Sequence, residues 1–199
     1  VLGYLIEVTS GMRFDDFLRT RIFEPLKMND TYFYLPPSKY DRLATLYMED
    51  KSGRLQVMPD QYNINGPFNP HYPKTNGTFL SGGGGLSSTL MDYGIFLQMM
   101  LNGGNYNGVQ ILSKNSVRMM TMNQIGDLLM WGDEGEKFGL GFGIVNEKGS
   151  AVMPMQEGTF SWGGMFATTY WVDPKEKLVG LFYRNIYPTS HGDLADRFK

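Results

Sequence analysis

The sequence predicts an α+β fold, with helices first and an antiparallel β-meander last. Three observations predict it. Apolar residues recur at helical spacing over Phe14–Phe23 and again after Ser88. From Phe138 onward the apolar period shortens towards two. Asp173-Pro174-Lys175-Glu176 then separates two runs rich in β-branched and aromatic residues, as a tight turn between strands would. The expected layout is a helical and loop region over 1–137. Antiparallel strands and the start of a C-terminal helix follow over 138–199, in the same domain.

Taken in order, Val1–Thr9 reads as the end of a buried helix, stopped by Ser10-Gly11. Phe14, Phe17, Leu18 and Ile22 make one apolar face of a second helix. Asp15 and Asp16 suit its first turn, Arg19 and Arg21 its last, and Pro25 is expected to end it. Residues 38–81 show weak periodicity, and the Pro-, Gly- and Asn-dense stretch from Pro59 to Phe79 predicts a long ordered loop. Thr89 and Asp92 have capping-box spacing ahead of a helix with Leu90, Tyr93, Leu97 and Met100 as its buried stripe. Asn102-Gly103-Gly104 closes that helix. Ser113 or Asn115 caps a further short helix. The strands are expected near Gly158–Trp162, Phe166–Asp173 and Leu178–Asn185, preceded by one in the run from Phe138 to Val145.

Composition removes several function classes. Hydrophobic residues at 42% and charged residues at 19% are globular proportions. A net charge of −2 lacks the basic face a nucleic-acid partner needs. No apolar run reaches the roughly 18 residues of a membrane span. With no cysteine there is no thiol catalysis, and with only His71 and His191 no His-built metal site or cofactor requirement is expected. His191 reads as an exposed turn residue, whereas His71 lies in the long loop and is a candidate for lining a cleft, with no relay partner evident nearby. The Gly82–Gly85 run precedes a helix but lacks the Lys of a phosphate loop, so it reads as a hinge or tight packing point. G-x-S-x-G is absent.

Trp162-Gly163-Gly164-Met165 is the stretch that asks for a chemical reason. Two glycines in a strand forfeit packing and cost entropy. They suit either a hairpin turn that needs positive φ, or a backbone that something else must approach closely.

Three segments in fixed order then carry a resemblance. They are Val1–Gly11 followed by Ile22–Thr31 (IFEPLKMNDT), Gly83–Phe96 (GGGLSSTLMDYGIF), and Trp162-Gly163-Gly164 with Val172-Asp173-Pro174 and a last apolar strand to Tyr183. Together they are similar to the serine β-lactamase and penicillin-binding-protein-like hydrolases, in particular the class C β-lactamase and family VIII esterase branch. The resemblance implies the C-terminal part of a β-lactamase/transpeptidase-like fold. In that family a Ser in Ser-x-x-Lys forms an acyl-enzyme, assisted by a Tyr in Tyr-x-Asn or Tyr-x-Ser. No Ser or Thr here has Lys three residues on, and Tyr183-Arg184-Asn185 falls after the W-x-G motif, out of order. The nucleophile, lysine and tyrosine are therefore expected upstream. The chain, which opens on Val1 without a basic leader region, is expected to be a piece of something longer and inactive alone.

On that resemblance Trp162, Gly163, Gly164 and Met165 form the oxyanion and substrate wall, with the Met165 amide as one donor. Trp162 stands where penicillin-recognising members place Lys or His, which favours an uncharged acyl substrate (ester or amide) over a β-lactam. Ala167 replaces a glycine common in relatives. The reading is a serine esterase or amidase. The alternatives are a β-lactamase or D-Ala-D-Ala carboxypeptidase, and a non-catalytic ligand-binding module. A dimer partner or a missing N-terminal segment is expected to cover the edge of the last strand. The sequence leaves the compartment open, and the resemblance leans towards a bacterial periplasmic or extracellular site.

Overall fold

The structure is a computed structural model that describes residues 1–64 and 66–198. Asn65, in the long loop, and Lys199, at the predicted C-terminal helix, lie outside the described residues. Two compact units divide the chain, Val1–Tyr93 with Arg184–Ser190 and Gly94–Tyr183 with His191–Lys199. Among the described residues no helix is long and apolar enough to cross a membrane.

The first unit opens with α1 (Leu2–Ser10), ended by Gly11 in the left-handed conformation with its N–H on Glu7 O. Gly3 lies against Phe14, where a Cβ would come to 3.0 Å. Ile6, Glu7 and Ser10 are half-buried, and Leu2, Tyr4, Leu5 and Val8 are exposed. The expectation of a buried helix is thus wrong within these residues, because no residue of α1 is buried and it meets α2 only along the side of Gly3 and Glu7, where Glu7 Oε1 accepts from Phe14 N–H at 2.9 Å. Helix α2 (Phe14–Leu18) runs through a π-helical turn (Arg19–Phe23) into α3 (Glu24–Leu26). Pro25 does not stop the helix. It sits in the first turn of α3, where its missing N–H is no loss, and Lys27 in the left-handed region ends the run. That left-handed residue makes a Schellman cap, with Lys27 N–H on Glu24 O at 3.0 Å and Met28 N–H on Phe23 O at 2.8 Å.

Residues 38–81 contain more order than a loop. A 3₁₀ turn (Pro37–Arg42), the hairpin of β1 (Tyr47–Glu49) and β2 (Leu55–Val57), the two-residue strands β3 (Tyr62–Asn63) and β4 (Pro67–Phe68), and a 3₁₀ turn (Tyr72–Lys74) punctuate it. Each element is too short to print a period. In the Gly-rich run, a Cβ on Gly85 would strike Ser81 O at 2.7 Å and the Phe33 ring at 3.0 Å, whereas Gly83 and Gly84 border open space. Tight packing at one glycine therefore explains the motif, and a hinge is not required.

Helix α4 (Leu90–Leu101) begins with only half of the expected capping box. Thr89 Oγ1 accepts from Asp92 N–H, but the Asp92 carboxylate turns away, accepting from Asp30 N–H at 2.7 Å and Thr31 Oγ1 at 2.9 Å. Leu97 and Met100 of the predicted stripe are buried and Met99 joins them, while Tyr93 is half-buried and Leu90 is exposed. Gly103 and Gly104, both at positive φ, close the helix on Met100 O and Met99 O.

In the second unit β5 (Asn105–Tyr106) and β6 (Val109–Gln110) form a small hairpin, and α5 (Lys114–Met120) is capped by Ser113 through Ser116 N–H. The main sheet contains β7 (Glu136–Phe138), β8 (Gly143–Val145), β9 (Phe160–Gly163), β10 (Thr169–Asp173) and β11 (Leu178–Phe182). Every neighbour pair is antiparallel and the order is sequential, β11-β10-β9-β8-β7. The four-residue helix α6 (Glu147–Ser150) interrupts between β8 and β9, and α7 (Leu194–Phe198) follows the sheet. Asp173 Oδ1 accepts the N–H of Lys175 and Glu176, the Asx-type turn that its sequence predicts. Phe142, Ile144, Phe160, Tyr170 and Val172 are buried in this unit. Among the described residues β11 is an edge strand.

Candidate active site

Strand β9 changes character along its length. Thr159, Phe160 and Ser161 are buried in succession, as expected for an inner strand covered on both faces. Pairing with β8 ends at Gly143↔Ser161, while pairing with β10 continues through Tyr170↔Trp162 and Thr169↔Gly163. Trp162 and Gly163 therefore emerge beyond β8. Trp162 is 37% exposed, and its ring meets Phe138 of β7 edge-on, with centroids 5.1 Å apart.

The connection to β10 is a three-residue hairpin loop. Gly164 N–H donates to Thr168 O at 2.8 Å and Ala167 N–H donates to Gly164 O at 3.0 Å. Ala167 has φ 63°, the left-handed residue that such a loop places after its tight turn. This overturns the idea that Gly163-Gly164 serve a positive-φ turn, because neither has positive φ and the demand falls on Ala167. It also explains why glycine suits position 167. What the two glycines avoid within the chain is Thr168: a Cβ would lie 3.0 Å from Thr168 O at Gly163 and 2.4 Å from Thr168 Oγ1 at Gly164.

Met165 occupies the second position of the turn. Its side chain is 54% exposed, and its N–H donates to no acceptor among the described residues. A tight turn leaves this amide unbonded by construction, so the hairpin holds an unspent donor on a rigid, sheet-anchored backbone. Nearby charge is sparse. Lys137 on β7 donates to Leu128 O at 3.0 Å, and Trp162 itself brings an indole N–H in place of a cation.

The other predicted site residue lies in the first unit. His71 is one wall of an open cleft of about 770 Å³, with Asp60, Tyr62, Asn63 and Phe68 among its neighbours. Its Nε2 is 3.1 Å from Asp60 Oδ1, so it does have a partner, one that sequence reasoning missed across an eleven-residue gap. Both side chains are more than half exposed, which makes the pair a weak surface contact. No hydroxyl nucleophile is bonded to this His among the described residues. Tyr72, next in sequence, donates to Gly85 O at 2.9 Å and so ties this segment to the Gly-rich run, and burial raises its pKa. No group of three or more His, Asp or Glu is gathered for a metal ion among the described residues.

Sequence reasoning also passed over Met130-Trp131-Gly132. A Cβ on Gly143 would sit 3.2 Å from Met130 Cε and 3.7 Å from Trp162 Cε3, so these side chains share the space above one glycine. The Trp-Gly dipeptide was the available signal, being an X-Gly turn between an apolar and an acidic run.

Comparison with known proteins agrees with this architecture. Protein Rv1367c of Mycobacterium tuberculosis is 32% identical over 207 residues, covering 98% of this chain and 49% of that protein. A protein of Escherichia coli K12 named Putative D-alanyl-D-alanine carboxypeptidase is 24% identical, with 98% and 44% covered. The chain thus spans about half the length of the curated relatives it matches. Among solved structures, EstCE1, described as a hydrolase with promiscuous acyltransferase activity, superposes with TM-score 0.82 at 21% identity. The match covers 99% of this chain and 52% of that one. A simvastatin synthase (LovD) variant from Aspergillus terreus gives 0.80 at 22% identity, covering 98% and 52%. At these identities the likeness is one of fold. The Beta-lactamase family model matches residues 1–198, and the chain therefore belongs to the Beta-lactamase family.

Proposed function

We propose that this chain supplies the oxyanion and substrate wall of a serine hydrolase acting on uncharged esters or amides through an acyl-enzyme. The observation that carries the reading is the Met165 amide, unbonded at the tip of a hairpin anchored by β9 and β10, beside Trp162 rather than a cation. A serine outside these residues attacks the substrate carbonyl carbon and gives up its proton to a neighbouring base. Negative charge grows on the carbonyl oxygen, where the Met165 N–H and the serine's own N–H meet it. One such donor is worth about 2.7–4 kcal/mol in the transition state. The carbonyl reforms, the alcohol or amine leaves, and water then releases the acid from the acyl-serine. In this reading the bare backbone at Gly163 and Gly164 also lets substrate approach the strand. His71 belongs to a cleft wall with no step of its own.

Relatives named as carboxypeptidases support a second reading, removal of a terminal D-alanine. Trp162 weighs against it, since a terminal carboxylate calls for a cation at this position.

The test compares kcat/KM for a short-chain nitrophenyl ester and a chromogenic β-lactam, using the longest natural polypeptide that contains these residues. The ester is expected to be the better substrate. Comparable β-lactam turnover would reverse the order, and failure of both, with no covalent adduct from a fluorophosphonate, would make the protein a binding module. The 199-residue chain alone is expected to form no such adduct by mass spectrometry.

A further inference from the structure

The segment Gln124–Gly135 holds an unusual side chain. Asp133 N–H donates to Met130 O at 2.9 Å, and the two central residues, Trp131 and Gly132, have φ of 54° and 81°. A turn with positive φ at both centres favours Asn-Gly or Asp-Gly. A bulky residue at the first centre is sterically disfavoured, and an outlier of this kind directs attention to function. Trp131 is also 86% exposed, and Leu128 is 71% exposed. The sequence thus sets an indole where neither turn geometry nor packing within the chain calls for one.

Two observations say what this patch faces. It is continuous with the candidate site, because Met130 Cε and the Trp162 ring both lie within 4 Å of one point above Gly143. Its carboxylates are balanced in part: residues 124–135 carry Asp127, Asp133 and Glu134, and two lysines from outside the segment reach it. The neighbouring Lys137 is tethered to Leu128 O, and Lys148 is paired with Glu134 at 2.6 Å. With Lys137 and Lys148 set against these carboxylates the rim carries little net charge. The exposed Leu128 and Trp131 beside Trp162 then match a neutral apolar chain.

We infer that Leu128, Met130 and Trp131 form a subsite for the hydrocarbon chain of a neutral acyl ester, leading away from Trp162. This rests on the reading of Trp162–Met165 as the ester-binding wall and adds a chain-length preference to it.

The experiment is an NMR titration of the longest natural polypeptide that contains these residues, isotope-labelled, with monooctanoylglycerol and monobutyrylglycerol, in wild type and Trp131→Asn. Asn suits the first centre of this turn, so the variant keeps the loop. The octanoyl ester is expected to bind about tenfold more tightly than the butyryl ester, perturbing residues 128–133 and Trp162. Trp131→Asn and Leu128→Ser are each expected to erase that difference. Equal affinity for the two chain lengths, or an octanoyl preference that survives both substitutions, overturns the inference. So does a dimer in sedimentation equilibrium that Trp131→Asn dissolves, because a second copy would then be the occupant. Octanoyl binding in a protein that hydrolyses no ester would refute the functional reading alone. Ester hydrolysis with no chain-length effect would refute only the subsite.

Discussion

Gly164 has two explanations, one local and one catalytic, and a single substitution series separates them. In Gly164→Ala the new methyl group would lie 2.4 Å from Thr168 Oγ1 but 3.8 Å from Thr168 Cβ. The first distance is a clash and the second is ordinary contact, and φ at this position is not in the glycine region. The strain should therefore come from one hydroxyl on a stiff β-branched side chain. Overpacking of this kind costs about 1–3 kcal/mol. For a chain of this size each kcal/mol lowers Tm by about 2–4 °C. Thr168→Ala removes the hydroxyl, and the double variant should recover most of the loss, a coupling of about 1–2 kcal/mol in a denaturant-unfolding cycle. On the proposed function, ester hydrolysis by the longest natural polypeptide containing these residues should not recover, because a methyl group at Gly164 would still stand against the substrate. If Gly164→Ala costs the same with and without the Thr168 hydroxyl, the clash argument is wrong. If the double variant regains both stability and activity, the glycine is there for the hairpin alone.

Three further outcomes follow from local geometry. Ala167→Gly relieves a left-handed residue and should stabilise the protein by about 1 kcal/mol in thermal unfolding, while an unchanged or lower Tm would count against the hairpin assignment. Asp92→Ala strands the half-buried Asp30 N–H and leaves the Thr31 hydroxyl with Ser88 Oγ alone, and should cost about 1–3 kcal/mol by urea denaturation, whereas no measurable loss would mean that this knot is replaceable. Asp50 accepts from the Ser52 hydroxyl and from Arg54 N–H, with Ser52 N–H and the Arg54 guanidinium also bonded to it, and these hold its pKa down from 3.8 to about 2. Its folded value is the lower one, so its contribution to the β1–β2 hairpin is complete above pH 3.8 and disappears as pH falls through about 2. Carboxyl NMR should find this group titrating near 2, and a midpoint near 3.8 would refute the bonding described.

The meander was legible because its strands are short runs rich in apolar, β-branched and aromatic residues and its turns are chemically marked. Asp173-Pro174 announces one turn, and the shortened period from Phe138 announces the sheet. Other features were hidden for identifiable reasons. Pro25 read as a helix stop because a sequence does not display the π-turn that accommodates it. Asp92 read as half of a capping box because its true partners lie about sixty residues away. The apolar run at Val1–Thr9 read as buried, yet hydrophobicity records what a helix can cover and not what is present to cover it. At the site, the motif pointed to Trp162–Met165, while the supporting roles of Thr168 and Ala167 depend on hairpin geometry and needed coordinates. Met130-Trp131-Gly132 was missed because its link to Trp162 runs across two strands.

On the proposed function, the Met165 amide is the open donor that meets the oxyanion. The most direct measurement is a ¹H–¹⁵N titration of the protein with a neutral-chain alkylphosphonate monoester, whose anionic oxygen imitates the tetrahedral intermediate. The Met165 amide proton should move downfield more than any other, with Gly164 following weakly because its N–H is already committed to Thr168 O. A Met165 resonance that stays put while other amides respond, or that is already protected from exchange in the free protein, would contradict the assignment.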